Sequence, residues 1–302
     1  MAQAFRFAGA RRRAVVCAKA PGTVLPIVIH AAKAEEVRAI LAWLKREDVL
    51  DHVWLSFDDG WREFKETVRV LEVFEKPATL FVAPGETMRG DVWTNGLTVP
   101  ERQRLYQLDE QSRYNEIALL NDCGPRGARS LPAGKSPAAG KVGPAVPAGR
   151  NEAALQGECT LPVRKVGPAV PAGRNETPLL GEREIREVAK HPLVRIGNHT
   201  WSHLSCPHRP KEEVLNEIDR AQETLTEWCG YAPTDFAYPF GRGTPELDEE
   251  IRRRGMTPHY TRQGLVTKET LGAARNMVYE GMSLAENLGR ILMAWPKVGV
   301  TL

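Results

Sequence analysis

Short apolar runs alternate along the chain with longer segments in which apolar residues recur at helical spacing. In the first third of the chain, the runs typical of buried strands are LPIVI, VWLSF and ATLFVA. Between them, AEEVRAILAWLKRE and the segment that ends near Phe74 carry apolar residues every three or four positions, which predicts two helices. The expected order is strand, helix, strand, helix, strand.

The same alternation resumes after position 180. LVRIG and TDFAYPF predict strands, and helices are expected at LGEREIREVAKH, PKEEVLNEIDRAQETLTEWCG and TPELDEEIRRRG. Pro210 and Gly230 mark the two ends of the longest helix. Thr244 is placed to cap the last helix, with Pro245 in its first turn and Gly255 at its end. This alternation predicts an α/β fold of parallel strands with crossover helices, either a barrel or a doubly wound sheet.

One region, from Asn121 to Glu182, differs in composition from both halves. It contains no Phe, Trp or Tyr, and 19 of its 62 residues are Gly or Pro, so it cannot supply a hydrophobic core. Within it, KVGPAVPAGRNEAALQGE from Lys141 recurs from Lys165 with 15 of 18 positions identical. Two such copies are too few for a solenoid. A solvated, low-complexity insertion is the expected structure, and an interaction arm is the alternative.

The expected domain organisation follows from this composition. Residues 24–120 and 183–302 form one α/β domain, residues 121–182 form a disordered insertion, and residues 1–23 form a disordered N-terminal extension. Without the insertion about 240 residues remain, a size that one barrel-like domain can occupy.

Charge and cysteine content exclude few classes of function. The 41 Lys and Arg against 38 Asp and Glu give a net charge of +3, so no general attraction to nucleic acid or an anionic membrane is expected. Five scattered cysteines without a CxxC pair favour reduced thiols. No stretch predicts a membrane span or a convincing signal peptide. A cytoplasmic location is the default expectation, or an extracytoplasmic one if the N-terminus is incomplete; the oligomeric state stays open.

Polar and ionisable residues stand at the ends of the predicted strands, where a barrel builds its functional site. The first strand ends at His30, the second at Asp58 and Asp59, and a later one at His199 in GNHTWSH. His203 follows four positions on, which would put both imidazoles on one side of a helical turn. Two imidazoles and a carboxylate are a recurrent ligand set for Zn²⁺ and related ions. Either aspartate could supply the carboxylate.

Three motifs, each at a strand end, carry a resemblance to a known family. In chain order they are LSFDDG, GNHTWSH and FAYPFG. They resemble the first three motifs of the polysaccharide deacetylases, carbohydrate esterase family 4, also described as the chitooligosaccharide deacetylase-like homology domain. The resemblance covers about residues 24–118 and 183–295. It implies a distorted, incomplete (β/α) barrel of seven strands, similar to a TIM barrel. FAYPFG is similar to the branch that acts on poly-N-acetylglucosamine-like polymers.

The resemblance also implies a role for each residue. Asp58 would be the general base, and Asp59, His199 and His203 would hold a divalent metal. Zn²⁺ is the expected metal, with Co²⁺, Ni²⁺ or Mn²⁺ as alternatives. The partner is then an N-acetylated polysaccharide or oligosaccharide, and neither nucleic acid nor an integral membrane segment is expected.

The third motif would supply the oxyanion site, and it also departs from the family pattern. The backbone N–H of Phe240 would stabilise the oxyanion, with Gly241 allowing a tight turn. The arginine that usually opens this motif and orients the base would fall at Ala237, so it is expected to be missing. No late Leu-x-His motif supplies the usual general acid. In the FAYPYG-type branch that acid is a histidine ending the first strand, which corresponds here to His30.

The expected function is therefore metal-dependent removal of N-acetyl groups from a polysaccharide of the chitin, poly-N-acetylglucosamine or peptidoglycan type. Within the enzyme class, the alternatives are an O-acetyl esterase of the acetyl-xylan type and a small-amide hydrolase. A catalytically impaired homologue that binds sugar and metal is the alternative outside that class. A protein that acts through the repeat arm is a third.

Overall fold

The computed structural model of the chain describes residues 22–31, 33–122, 177–262, 266–267, 269–278 and 286–287. The predicted N-terminal extension up to position 21 and the predicted insertion from position 123 to 176 lie outside these ranges. Leu179 and Leu180, which the composition placed in the insertion, are fully buried. The residues just before position 183 therefore pack with the domain.

In the described part of the chain, seven parallel strands and one short antiparallel strand form a curled sheet. In chain order the strands are β1 Thr23–Ile29, β2 Val53–Phe57, β3 Ala78–Val82, β4 Val194–Asn198, β5 Asp235–Ala237, β6 Thr257–His259, β7 Val266–Thr267 and β8 Asn276–Val278. Across the sheet the parallel strands run β8, β1, β2, β3, β4, β5, β6, and β7 pairs antiparallel with the start of β1. Within the described ranges no ladder joins β6 to β8. The predicted seven-stranded incomplete barrel is confirmed.

Helices connect these strands. In chain order they are α1 Ala34–Arg46, α2 Phe64–Phe74, α3 Pro84–Arg89, α4 Val99–Leu105, α5 Glu110–Asp122, α6 Glu182–Val188, α7 Lys211–Cys229 and α8 Pro245–Arg253. Gly230 ends α7 with a φ of 75°, and Thr244 caps α8 by accepting a hydrogen bond from the N–H of Leu247. Both ends are as the sequence predicts. Among the helices described, none is long and apolar enough to span a bilayer.

The hydrophobic pattern does not predict the three short helices between β3 and the insertion. α4 begins at a capping box, in which Thr98 and Glu101 bond each other's backbone N–H. Residues from this segment form a small hydrophobic cluster of their own, which includes Trp93 and Leu105. Phe240, from the third motif, packs against the same cluster. The three helices therefore border the carboxyl edge of the sheet.

Aromatic and charged side chains fill the concave face of the sheet. The indole of Trp54 on β2 stacks on the imidazole of His259 on β6, with ring centroids 4.5 Å apart. Nε2 of His259 lies 2.7 Å from a carboxylate oxygen of Asp235. Phe81 on β3 packs edge-on against Trp54, and the guanidinium of Arg275 lies 5.0 Å from the Phe81 ring centroid. These contacts pack side chains of β2, β3 and β6 against one another.

Gly197 on β4 lies where a side chain would collide with Phe81. A Cβ atom on Gly197 would come within 2.4 Å of Cδ1 of Phe81. Gly197→Ala is therefore expected to lower the free energy of unfolding by about 1–3 kcal/mol through overpacking, measured by urea denaturation. In a Phe81→Leu background the same substitution should cost less, because the smaller side chain leaves room for the methyl group. Equal losses in both backgrounds would contradict this packing.

The carboxyl ends of the central strands meet at one edge of the sheet. The register pairs the last residue of β1 with the last of β2, and the last of β3 with the last of β4. The residues that follow three of these strands are His30, Asp58 and His199. They emerge together at the edge where parallel barrels place their functional residues.

Candidate functional site

Three side chains from two loops converge at the carboxyl edge of the sheet. Oδ1 of Asp59, after β2, lies 3.4 Å from Nε2 of His199 and 3.2 Å from Nε2 of His203, both after β4. One ligand atom from each residue lies within 4.8 Å of the others, and all three residues are buried. The structure thus brings together the residues that the sequence assigned to a metal. Asp59, rather than Asp58, faces the histidines.

The spacing of these donors suits a small divalent cation. Ligand atoms about 2.0–2.1 Å from a tetrahedral Zn²⁺ lie about 3.3 Å from one another. The two distances from the Asp59 oxygen to the imidazole nitrogens are close to that value. This oxygen is buried and has no hydrogen-bond partner in the described part of the chain. A buried carboxylate oxygen without a hydrogen bond is unusual, and a bound cation would satisfy it.

The charge states of the site also suit a cation. Burial raises the pKa of Asp59, but the imidazoles of His199 and His203 outweigh this effect and hold the pKa well below its usual value. Burial lowers the pKa of His203 despite the opposing charge of Asp59. Carboxylate and neutral imidazole are the forms in which these side chains bind metals.

Neighbouring groups orient two of the three ligands. Nδ1 of His199 lies 2.7 Å from the carbonyl oxygen of Ala237, so a proton on Nδ1 donates there and Nε2 keeps its lone pair. The indole N–H of Trp61 donates to Oδ2 of Asp59 at 3.1 Å, which directs Oδ1 toward the histidines. Nδ1 of His203, by contrast, is buried without a hydrogen-bond partner among the described residues.

Left-handed backbone conformations concentrate in the loops of the site. Asp59, Thr200, His203 and Phe240 have φ values between 52° and 73°, although none is glycine. Such conformations cost energy in residues with a side chain, and they cluster at functional sites. His199 and His203 converge through this irregular loop, so the helical turn expected from their spacing is wrong.

Asp58 has a different partner from Asp59. The guanidinium of Arg275, just before β8, donates from Nη1 to Oδ1 at 2.6 Å and from Nη2 to Oδ2 at 2.9 Å. Arg275 is fully buried, and 3% of the Asp58 side chain is exposed. The expectation that no arginine orients the base is therefore wrong. Ala237 carries none, but Arg275 holds the carboxylate from the position before β8.

This ion pair keeps Asp58 ionised, and His30 lies next to it. Burial raises the pKa of Asp58, yet the charges of Arg275, His199 and His30 hold it below its usual value. Nε2 of His30 is 3.9 Å from Oδ2 of Asp58, and 33% of the His30 side chain is exposed. The two residues that the sequence assigned to acid and base chemistry therefore lie side by side.

The third motif lies against the candidate metal ligands. The ring of Phe240 packs nearly perpendicular to the imidazole of His203, with centroids 4.7 Å apart. Gly241 has a φ of 65°, and a Cβ atom there would lie 2.4 Å from Cβ of Thr261. Glycine is required at this turn because it avoids both the strain and the collision.

Aromatic rings continue from Phe240 away from the candidate metal ligands. The ring of Tyr106 lies 5.1 Å from that of Phe240 and stacks on the imidazole of His208 at 5.2 Å. All three side chains are partly exposed. Partly exposed aromatic rings that also carry polar groups are common in ligand-binding clefts. These rings form one wall beside the site.

The loop of Asp59 is tied to the last residues of the predicted insertion. Arg62 donates to the carbonyl oxygens of Thr177 and Leu179, at 2.7 Å and 3.0 Å. Trp61, whose indole bonds Asp59, forms a backbone bridge with Leu179. The end of the predicted insertion therefore supports a residue of the site.

Comparison with known proteins relates part of this chain to a protein family. Residues 167–259 match the family model for polysaccharide deacetylases. This range contains the histidine pair and the third motif, whereas Asp58, Asp59 and Arg275 lie outside it. A curated relative, the peptidoglycan-N-acetylglucosamine deacetylase PgdA of Listeria monocytogenes, is 29% identical over 26% of this chain. The chain spans about a fifth of that relative, since the match covers 19% of its length.

Solved structures share the fold. The polysaccharide deacetylase BC0361 from Bacillus cereus matches with a TM-score of 0.51 and 14% identity, over 89% of this chain and 69% of that one. The deacetylase PplD of Streptococcus pyogenes, solved in complex with acetate, has a TM-score of 0.51 and 14% identity, over 89% of this chain and 98% of that one. At this identity the likeness establishes the fold. Residues 167–259 thus match the polysaccharide deacetylase family model, and the fold of the chain is the one that these deacetylases share.

Proposed function

We propose that this chain is a metal-dependent hydrolase that removes N-acetyl groups from the sugars of a polysaccharide. One observation carries the proposal: two adjacent aspartates have different partners, Asp59 with two imidazoles and Asp58 with Arg275. Hydrolysis of an amide needs an ionised base beside a group that activates water and carbonyl. The arrangement offers both, and the match of residues 167–259 to the polysaccharide deacetylase model supports this reaction class.

Each residue of the site has a part in this chemistry. A divalent cation held by Asp59, His199 and His203 would lower the pKa of a water molecule and polarise the acetyl carbonyl. Asp58 accepts the proton of the attacking water. Both of its oxygens bind Arg275, but each carboxylate oxygen has a second lone pair that can take the proton.

Two further groups complete the proposed reaction. The backbone N–H of Phe240 donates to the negative charge that develops on the acetyl oxygen. His30 donates a proton to the leaving amine as the bond between carbonyl carbon and nitrogen breaks. The products are acetate and the free amino sugar.

The proposed metal is Zn²⁺, which takes imidazole nitrogen and carboxylate oxygen as ligands. Co²⁺, Ni²⁺ and Mn²⁺ accept related donor sets and are the alternatives.

The proposed substrate is an N-acetylglucosamine polymer of the chitin, poly-N-acetylglucosamine or peptidoglycan type. The name of the Listeria relative supports the sugar, and the FAYPFG motif supports the branch. The wall formed by Phe240, Tyr106 and His208 offers rings against which a sugar could pack. An O-acetyl ester of xylan or a small amide would need the same reacting groups, so substrate comparison must separate them.

Acetate release from chitooligosaccharides, peptidoglycan and acetylated xylan tests this function, with Zn²⁺ or Co²⁺ added. We expect release from at least one of the two N-acetylated polymers and much less from xylan. Faster release from xylan would favour the esterase alternative. Binding of metal without acetate from any substrate would favour the impaired, binding-only alternative.

His30→Ala tests the proposed general acid. We expect kcat for an acetamido sugar to fall about 10²–10⁴-fold. Hydrolysis of p-nitrophenyl acetate should fall much less, because its leaving group departs without being protonated. The measurement is kcat for both substrates in both proteins.

A matched control is His191→Ala, at a histidine that pairs with Glu72 away from the site. It should leave both rates unchanged. If His30→Ala lowered both rates equally, His30 would be a residue that positions Asp58 rather than an acid.

A further inference from the structure

Buried polar side chains from two helices hold Ser202, the residue before His203. Glu217 on α7 accepts hydrogen bonds from the backbone N–H of Ser202, at 2.7 Å, and from its hydroxyl, at 3.0 Å. Arg113 on α5 donates from Nη2 to the carbonyl oxygen of Ser202 at 3.2 Å and contacts its hydroxyl at 2.7 Å. Ser202 is fully buried, and Arg113 is 1% exposed.

Trp93, between α3 and α4, holds the backbone of His203 directly. Its indole N–H donates to the carbonyl oxygen of His203 at 2.9 Å. The guanidinium of Arg113 lies 4.8 Å from the Trp93 ring centroid, so the two side chains also contact each other. Glu86 accepts the backbone N–H of Trp93 at 2.6 Å and the phenol of Tyr114, next to Arg113. Trp93 and Arg113 therefore form one connected network.

The two histidines of the candidate metal site differ in how they are held. The ring of His199 is fixed by its own contact with the carbonyl oxygen of Ala237. The ring of His203 has no equivalent, because its Nδ1 lacks a hydrogen-bond partner in the part of the chain described. His203 also has a left-handed backbone, with a φ of 52°. Its orientation therefore depends on what holds its backbone and on the Phe240 ring.

We propose that Trp93 and Arg113 are positioning residues for His203, and that they set metal affinity through its backbone. The proposal rests on the proposed metal site. Neither residue touches the ligand atoms, and both lie outside the range 167–259 that matches the family model. The segment that elaborates this barrel between β3 and the insertion thus contributes to the metal-binding site.

Trp93→Phe is the sharpest test, because it removes the indole N–H and keeps an aromatic ring beside Arg113. Co²⁺ is the probe, and its visible absorption, which depends on its ligands, reports both affinity and coordination. We expect Co²⁺ to bind about 10–100-fold more weakly, the usual cost of losing a group that orients a ligand. Trp228→Phe, at a 5% exposed tryptophan of the main core, is the control and should bind as the wild type does.

The same substitution in two further backgrounds identifies the ligand that Trp93 acts on. In His199→Ala, Trp93→Phe should still weaken Co²⁺ binding about 10-fold or more. In His203→Ala it should change the affinity less than about twofold, since His203 no longer contributes. An equal loss in both backgrounds would overturn the proposal, because Trp93 would then act on the fold in general.

Arg113→Lys is a second, independent variant, which keeps the charge but not the guanidinium that reaches Ser202. It should weaken Co²⁺ binding about 10-fold, whereas Arg254→Lys, at an arginine paired with Asp219, should not. If both Trp93→Phe and Arg113→Lys bound Co²⁺ with wild-type affinity, the positioning role would be overturned and the proposed function would still stand. If the wild-type protein itself bound no Co²⁺, the proposed function would be overturned, and the positioning role with it.

Discussion

Asp58→Asn is expected to lower kcat for acetate release about 10²–10⁴-fold, because an amide cannot accept the proton of the attacking water. Metal affinity should stay near the wild-type value, since Asp58 is not among the three residues that could hold a metal ion. Acetate release and a Co²⁺ titration on the same preparation measure the two effects. The separation matters because Asp58 and Asp59 are adjacent and chemically identical.

Asp51→Asn is a suitable control, at an exposed aspartate before β2, and it should change neither quantity. Acetate release by Asp58→Asn within tenfold of the wild type would show that another group takes the proton. A large loss of Co²⁺ affinity would show that Asp58, and not only Asp59, binds the metal.

Arg275→Met should destabilise the protein as well as inactivate it. The substitution leaves the Asp58 carboxylate buried without its partner, which is expected to lower the free energy of unfolding by about 3–5 kcal/mol at neutral pH. The pKa of Asp58 is lowered in the wild type, so the stability this pair contributes is lost as pH falls through that value. The difference between the two proteins should therefore shrink as the pH falls toward about 4 and below. Urea denaturation across this pH range measures it.

The double variant Asp58→Asn, Arg275→Met separates structure from chemistry. Because it removes both charges, it should recover most of the lost stability but none of the activity. Arg254→Met, which breaks a partly exposed pair with Asp219, should cost less than about 1 kcal/mol. Additive losses in the double variant would contradict a specific pairing of Asp58 with Arg275.

The alternation of strands and helices could be predicted from the sequence, because it follows from hydrophobic periodicity. Strands β1 to β4 lie within a residue or two of the predicted runs, and Gly230 and Thr244 act as helix ends as expected. Strands β6 and β8 have three residues each, too few for a periodic pattern. Hydrophobic periodicity does not predict helices α3 to α5, and contacts such as that of Arg113 on α5 with Ser202 join residues 89 positions apart.

The core of the site could also be predicted, because parallel strands bring their carboxyl ends together. That rule alone places Asp58, Asp59 and His199 at one edge of the sheet. Arg275 could not be found in the same way, because it lies 217 positions from Asp58 and precedes a three-residue strand. In the family motif that FAYPFG resembles, the arginine that orients the base would stand at the position of Ala237, on β5. The positive charge that Asp58 needs is therefore present beside it, although it comes from a different part of the chain.

The adjacent carboxylates are stable neighbours because each has its own positive or proton-donating partners. Arg275 neutralises Asp58 from inside the barrel, and the imidazoles and the Trp61 indole surround Asp59. Repulsion between two buried negative charges is thereby offset on both sides. In the proposed function, this division gives one aspartate to proton transfer and the other to metal binding.

Metal removal tests the central claim most directly. The protein would be freed of metal with a chelator, and acetate release from chitooligosaccharides or peptidoglycan would be followed as Zn²⁺ is added back. We predict no release from the metal-free protein and a rise that saturates at one equivalent, with no rise in His199→Ala. Undiminished release from the metal-free protein, or equal restoration in His199→Ala, would contradict the account.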